Sequence, residues 1–206
     1  MIRNIVFDMG QVLIYWTPAL MTEHMELSDE DRRLLIREVF GNVEWVRLDR
    51  GTISAPQAVA DICARLPERL HAQVHFLVKD WWTLPLAPVP GMAELVAELK
   101  AAGYGIYLLS NVNLGLRENF ARIPGSEYFD GLLVSSEEKV IKPHREIFER
   151  LFSRFSLVPG ECFFIDDAPS NIEGALMAGM RGAVFHGDMA RLRRELRMAG
   201  VSCREV

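Results

Sequence analysis

A chain of 206 residues, 50% hydrophobic and 25% charged, has room for one domain, or for one domain carrying an inserted subdomain. Its net charge of −5 leaves no basic footprint for a nucleic acid, and no apolar run approaches the roughly 18 residues that a membrane span needs. The three cysteines, Cys63, Cys162 and Cys203, are far apart and match no zinc spacing, and the N-terminus lacks a signal-peptide pattern, so a reduced, cytoplasmic setting is expected.

The first predicted strand, NIVF at 4–7, runs straight into Asp8, with a glycine at position 10. From about Tyr15 to Pro88 only helical signals follow. Ser28 with Asp31 and Ser54 with Gln57 have capping-box-like spacing, and AVADICARL and VHFLVKDWW carry helical apolar spacing. The stretch ends in LPLAPVPG, whose prolines predict a stiff linker. Residues 15–88 therefore read as an inserted helical subdomain, and 1–14 with 89–206 as the core. Met92, Leu95, Val96 and Leu99 then repeat at i, i+3, i+4, i+7 before Gly103. The strand GIYLL ends at Ser110 and Asn111, and GLLV at 131–134 is a third strand. Lys142 precedes Pro143, which is expected to start the helix containing Ile147, Phe148, Leu151 and Phe152. CFFI at 162–165 ends at Asp166 and Asp167. Ile172, Ala175 and Leu176 mark a helix before Gly179, and GAVF at 182–185 is the last strand. Arg191, Arg193, Arg194 and Arg197 read as one solvated helix face. Short apolar strands alternating with helices imply an α/β, doubly wound parallel sheet.

In such a sheet the polar residues at the strand ends gather along one edge, which is where ligands bind. Taken singly, Asp8, Ser110–Asn111 and Lys142 are ordinary turn, cap and surface residues. Taken together on alternating strands, they argue for a site. Asp8, Asp166 and Asp167 would repel strongly without a cation among them, and an all-oxygen ligand set favours magnesium. A lysine and a hydroxyl beside them complete an anion cradle suited to phosphoryl transfer with an aspartate nucleophile.

VFDMGQVL, LLSN, IKP and FFIDDAPSNIEGA resemble the four motifs of the haloacid dehalogenase superfamily, and the resemblance covers nearly the whole chain. The helical insert resembles that superfamily's C1-type cap. Within it, WVRLDRGTIS resembles the subgroup that includes α-D-glucose-1-phosphate phosphatase. The resemblance implies a Rossmann-like core, Mg2+ and an aspartyl-phosphate intermediate. It makes Asp8 nucleophile and metal ligand, Ser110 a partner of the phosphoryl oxygens, and Lys142 the neutralising cation. Asp167 would be a metal ligand, with Asp166 weaker or acting through water. The Gly10 carbonyl would be a further ligand, and Asn171 would orient the last loop. Asn111 is placed with the substrate. Most phosphatases of the family carry an acid/base aspartate where this chain has Gly10, and such help is worth about 10²–10⁴ in rate. Some subgroup relatives share the D-x-G pattern. Lys139 departs from the glycine often found there.

Trp16, Trp45, Trp81 and Trp82 all lie in the cap or at its hinge. Trp45, Asp49 and Arg50 are the expected substrate contacts on the cap. The reading is a magnesium-dependent phosphatase of a small phosphorylated metabolite, sugar phosphates among the candidates, with no nucleic-acid or membrane partner, acting as a monomer or homodimer. The alternatives are a ligand-binding protein of the same fold with little turnover, which Gly10 motivates, and a 2-haloacid dehalogenase. Asp166–Asp167 argue against the latter, whose relatives carry uncharged residues there.

Overall fold

The computed structural model describes residues 1–204. β1 (Asn4–Phe7) leads through a tight loop to β2 (Ile14–Tyr15) and into a run of helices. These are α1 (Pro18–Glu23), α2 (Asp29–Leu35), α3 (Val43–Arg50), α4 (Ala55–Cys63) and α5 (His71–His75), with π-helical turns at Ile36–Phe40 and Phe76–Asp80. The chain returns through β3 (Ala87–Pro88) to α6 (Met92–Ala101) and β4 (Gly105–Ser110). Then come α7 (Leu116–Asn119), β5 (Gly131–Val134), α8 (Ser135–Glu138), α9 (Arg145–Phe155), β6 (Cys162–Asp166), α10 (Pro169–Met177), β7 (Arg181–Val184) and α11 (Met189–Met198).

Five strands form one parallel sheet in the order β5-β4-β1-β6-β7. The chain winds outward from β1 in one direction through β4 and β5, then in the other through β6 and β7. The strand order therefore reverses between β1 and β6, and the crevice beyond their C-terminal ends is the natural ligand site. Period-two alternation on β1 decides which side chain meets which layer. Ile5 and Phe7 join the core built with α6, α11 and the helical segment, while Val6 joins the opposite core under α9 and α10. Each side chain of this size contributes about 1.5–3 kcal/mol when fully buried. The same core runs on into the helical segment through Val59, Ile62 and Val74, so sheet and segment share apolar packing.

The capping expectations hold locally: Asp31 N donates to Ser28 Oγ at 3.1 Å and Gln57 N to Ser54 Oγ at 3.3 Å. Four details differ from the sequence reading. The proline-rich return is more than a stiff linker, because Ala87–Pro88 pairs antiparallel with Ile14–Tyr15, tying together the two ends of the helical run. Pro143 does not start the next helix, which begins at Arg145; Lys142 and Pro143 belong to the turn before it. Leu176 is exposed, since the buried side of α10 is made by Ile172, Gly174 and Ala175. Arg193 is buried rather than solvated, bonded to Glu98 on α6 at 2.7 Å.

Candidate active site

The site is built on the end of β1. The Asp8 amide still donates to Ile165 O on β6, at 2.9 Å, so the residue past the strand keeps sheet register and its carboxylate stands over the crevice. The chain then turns sharply. Leu13 N and Ile14 N both bond Met9 O, and Gln11 takes a left-handed conformation with φ 58°.

Lys142 reaches in from the loop before α9 and is buried. Its ammonium lies 2.8 Å from Asp8 Oδ1 and 2.7 Å from Asp166 Oδ2, and it donates to Leu109 O at 3.0 Å. Two of its protons thus meet Leu109 O and Asp166 Oδ2, while Asp8 Oδ1 is held by charge and accepts no hydrogen bond, a buried oxygen left open to a further cation. Burial alone would lower the Lys142 pKa, but the charges of Asp166 and Asp8 outweigh it and hold it above the ordinary lysine range. Burial pushes Asp8 up to about 6, with Lys142 opposing and Asp166 adding to the rise. Asn111 fixes the backbone that carries the lysine: its Oδ1 accepts from Lys142 N at 2.8 Å and its Nδ2 donates to Lys142 O at 3.1 Å.

The two adjacent aspartates have different surroundings. Asp166 is fully buried and both of its oxygens are engaged. They accept from Ala168 N at 2.8 Å, from Asn171 Nδ2 at 3.0 and 3.1 Å, and from Lys142. Asp167 is half-buried and opens on a cavity. Burial raises its pKa, as does the charge of Asp166, with Lys142 opposing. One oxygen each from Asp8, Asp166 and Asp167 lie within 4.8 Å of one another. Hard oxygen donors at this spacing suit a magnesium ion. Because Asp166 is already saturated by protein donors, Asp8 and Asp167 are the carboxylates better placed to ligate.

The cavity, about 370 Å³, lies between the sheet edge and the helical segment. Asp8, Gly10, Ser110, Asn111 and Asp167 line it from the core, and Trp16, Trp45, Asp49 and Trp81 from the other side. Trp16 stacks on Trp45 with ring centroids 5.7 Å apart and meets Trp81 edge-on at 6.0 Å. Sequence reasoning singled out Trp45 alone as substrate-facing. Trp16 and Trp81 share the wall, and only the folding of the helical run brings them together. Trp82 instead stacks on Trp81 and donates to Asn113 at 3.3 Å. Arg50 does not line the cavity, although its neighbour Asp49 does, because successive helical residues point about 100° apart. Burial holds the Asp49 pKa well above the carboxylate range, the charge of Asp8 adds to this, and Lys142 opposes.

The end of α3 is docked onto α8. Ser135 Oγ donates to Asp49 O at 2.5 Å, and Lys139 Nζ donates to Gly51 O at 2.5 Å. Lys139 is left-handed, with φ 60°, which accounts for the glycine otherwise common there; the lysine adds a tie to the helical segment. Gly51 has φ 69°, and a Cβ there would stand 2.0 Å from Ser136 O. Gly51→Ala is therefore expected to destabilise by more than the roughly 1–2 kcal/mol of left-handed strain alone, read as a lower Tm.

Comparison with known proteins agrees with this geometry. The sequence profile of haloacid dehalogenase-like hydrolases matches residues 2–179. A sesquiterpene phosphatase of Aspergillus oryzae is 26% identical over 181 residues, covering 86% of each chain. A D-ribitol-5-phosphate phosphatase of Bacteroides thetaiotaomicron is 28% identical over 188 residues, covering 84% of this chain and 86% of that one. A family enzyme of Bacteroides thetaiotaomicron, solved with magnesium and inorganic phosphate, shares the fold with a TM-score of 0.67 at 23% identity, over 93% of this chain and 99% of that one. With the parallel sheet, the reversal of strand order at β1 and the profile match, the chain belongs to the haloacid dehalogenase-like hydrolase family.

Proposed function

We propose that the protein is a magnesium-dependent phosphatase of a small phosphorylated metabolite, acting through an aspartyl-phosphate on Asp8. The observation that carries this reading is the buried Asp8–Lys142–Asp166 triad beside Asp167, opening on a cavity at the sheet edge. The phosphatases among its relatives and the magnesium- and phosphate-bound structure of similar fold support it. In this reading residues 15–88 act as a cap that covers the substrate.

Asp8 and Asp167, with the Gly10 carbonyl, would hold the magnesium ion, which when bound neutralises charge on Asp8 and the phosphoryl oxygens. The chain's own residues do the rest. The Asp8 carboxylate attacks phosphorus, the bond to the leaving oxygen breaks, and that oxygen takes up a proton. Ser110 hydrogen-bonds the phosphoryl oxygens, and Lys142 balances charge on the carboxylate as its oxygen forms the new bond. Asp166 and Asn171 hold Lys142 and the last loop in position. Water then attacks the aspartyl phosphate, restoring Asp8 and releasing phosphate.

Two measurements test the reading. Hydrolysis of p-nitrophenyl phosphate is expected to stop on chelation and return with magnesium; full turnover in the chelator would overturn the metal assignment. In calorimetric titration, Asp167→Ala is expected to weaken magnesium binding more than Asp166→Ala, and the reverse order would exchange the two roles.

Gly10 leaves the leaving oxygen without the acid usual two residues after the nucleophile. Protonation matters most for basic leaving groups. The kcat/KM is therefore expected to fall steeply from aryl phosphates to alkyl phosphates of similar size. Gly10→Asp should flatten the slope, and there is room for its Cβ, which at Gly10 meets only Trp16 Cβ at 4.0 Å. A shallow slope in the wild type would show that another group, Asp49 foremost, supplies the proton.

A further inference from the structure

The cavity wall facing the triad is apolar. Met9, Trp16, Pro18, Trp45, Trp81 and Val112 contribute to it, and among the described residues no lysine, arginine or histidine lines it. The Nε1 atoms of Trp16 and Trp81 are buried without a hydrogen-bond partner, so the parts of these rings open to the cavity are carbon.

The acceptor oxygens of the polar lining residues away from the phosphate end are largely taken up in holding the fold. Gln11 Oε1 accepts from Trp16 N at 2.8 Å, and Thr17 Oγ1 caps α1 by accepting from Leu20 N at 3.2 Å. Asn113 Oδ1 accepts from Gly115 N at 3.1 Å and from Trp82 Nε1 at 3.3 Å. Both ends of the Asn111 amide are bonded to the Lys142 backbone. That leaves the Asp49 carboxyl as the acceptor not already taken on this side.

From this wall we infer that the leaving group is an uncharged, mainly apolar alcohol with at most one hydroxyl to spare, rather than a sugar or polyol. The inference rests on the phosphatase reading above and deepens it. A polyol would enter with several hydroxyl donors and find one acceptor, and buried donors without partners are disfavoured. A second phosphate or a carboxylate would find no cation. An alkyl, prenyl-like or aromatic group would lie against indole carbon, where the first two methylenes to be buried are each worth on the order of tenfold in kcat/KM.

The test holds leaving-group basicity nearly constant. With magnesium present, kcat/KM is measured for methyl, butyl and hexyl phosphate, for glycerol 1-phosphate and for ribitol 5-phosphate. Hexyl phosphate is expected to exceed methyl phosphate and both polyol phosphates by on the order of 10²-fold. A polyol phosphate equal to or better than hexyl phosphate would overturn the inference. Trp45→Ala is expected to bring hexyl phosphate down toward methyl phosphate, with Trp45→Phe intermediate; an unchanged ratio in a folded Trp45→Ala protein would count against it.

Binding of hexylphosphonate, methylphosphonate and ribitol 5-phosphate, measured by calorimetry, separates the two claims. Tighter hexylphosphonate binding without turnover of any ester would sink the phosphatase reading and leave the apolar site standing. Turnover with polyol preference would do the opposite.

Discussion

Asp8→Asn is expected to lower kcat by on the order of 10⁵-fold or more, because an amide oxygen attacks phosphorus poorly. The fold should survive. Burial has already pushed the Asp8 pKa up to about 6, so neutralising this carboxylate removes a charge that the site disfavours. Lys142 keeps Asp166 at 2.7 Å and Leu109 O at 3.0 Å. The Tm should move by no more than about 2–4 °C. Substantial activity in a preparation free of contaminating phosphatase would remove Asp8 from the nucleophile's role. A collapse of Tm would make the activity loss uninformative, and Asp8→Glu, which keeps the charge and displaces it, would then carry the test.

Lys142→Met has the largest expected effect on stability. It takes the ammonium from between two carboxylates and leaves both facing an apolar side chain. Removing one partner of a buried ion pair typically costs about 3–5 kcal/mol. For a chain of this size that corresponds to a fall in Tm of roughly 10 °C or more. Activity should fall as well, since the charge on Asp8 and the phosphoryl group would go unbalanced. The double variant Lys142→Met/Asp166→Asn separates pairing from packing. With the two most buried charges gone together, part of the lost stability should return, as a double-mutant cycle read by thermal denaturation would show. A double variant as unstable as the sum of the singles would mean that contacts of Lys142 other than its pairing with Asp166, among them the ammonium 5.3 Å from the centre of the Phe164 ring, carry the stability.

The sheet and the polar groups along its edge were legible for one reason. The three central strands, β1, β4 and β6, are short apolar runs largely buried on both faces, so the point where each turns polar marks its C-terminal end. Asp8, Ser110, Asp166 and Asp167 were all read that way, and the parallel topology brings them to one crevice. What the sequence hid depends on partners far along the chain. Arg193 reads as one more basic residue on an amphipathic helix; only the fold shows Glu98, on α6, beneath it. β2 and β3 are two residues each, too short to leave an alternation pattern, and their pairing requires both ends of the helical run to be in place. Trp16 and Trp81 lie 65 positions apart, and no local period announces that they share a wall with Trp45. Asp49 and Arg50 were legible as a pair but not as a choice, because the helical phase that turns one toward the cavity becomes visible only when α3 is docked on α8. Gly51, which makes that docking close, stood in the sequence as an ordinary glycine after a helix. Its φ of 69° and the nearby Ser136 carbonyl give it a second reason to be there.

The covalent step is the centre of the account, and rapid-quench single turnover tests it most directly. The enzyme is mixed with magnesium and a ³²P-labelled aryl phosphate, quenched in acid on the millisecond scale and digested. Label is expected on the peptide containing Asp8, rising before free phosphate and decaying as phosphate appears, and it should be absent from Asp8→Asn. Phosphate release at full rate with no protein-bound label at any time, or label on a peptide without Asp8, would contradict it.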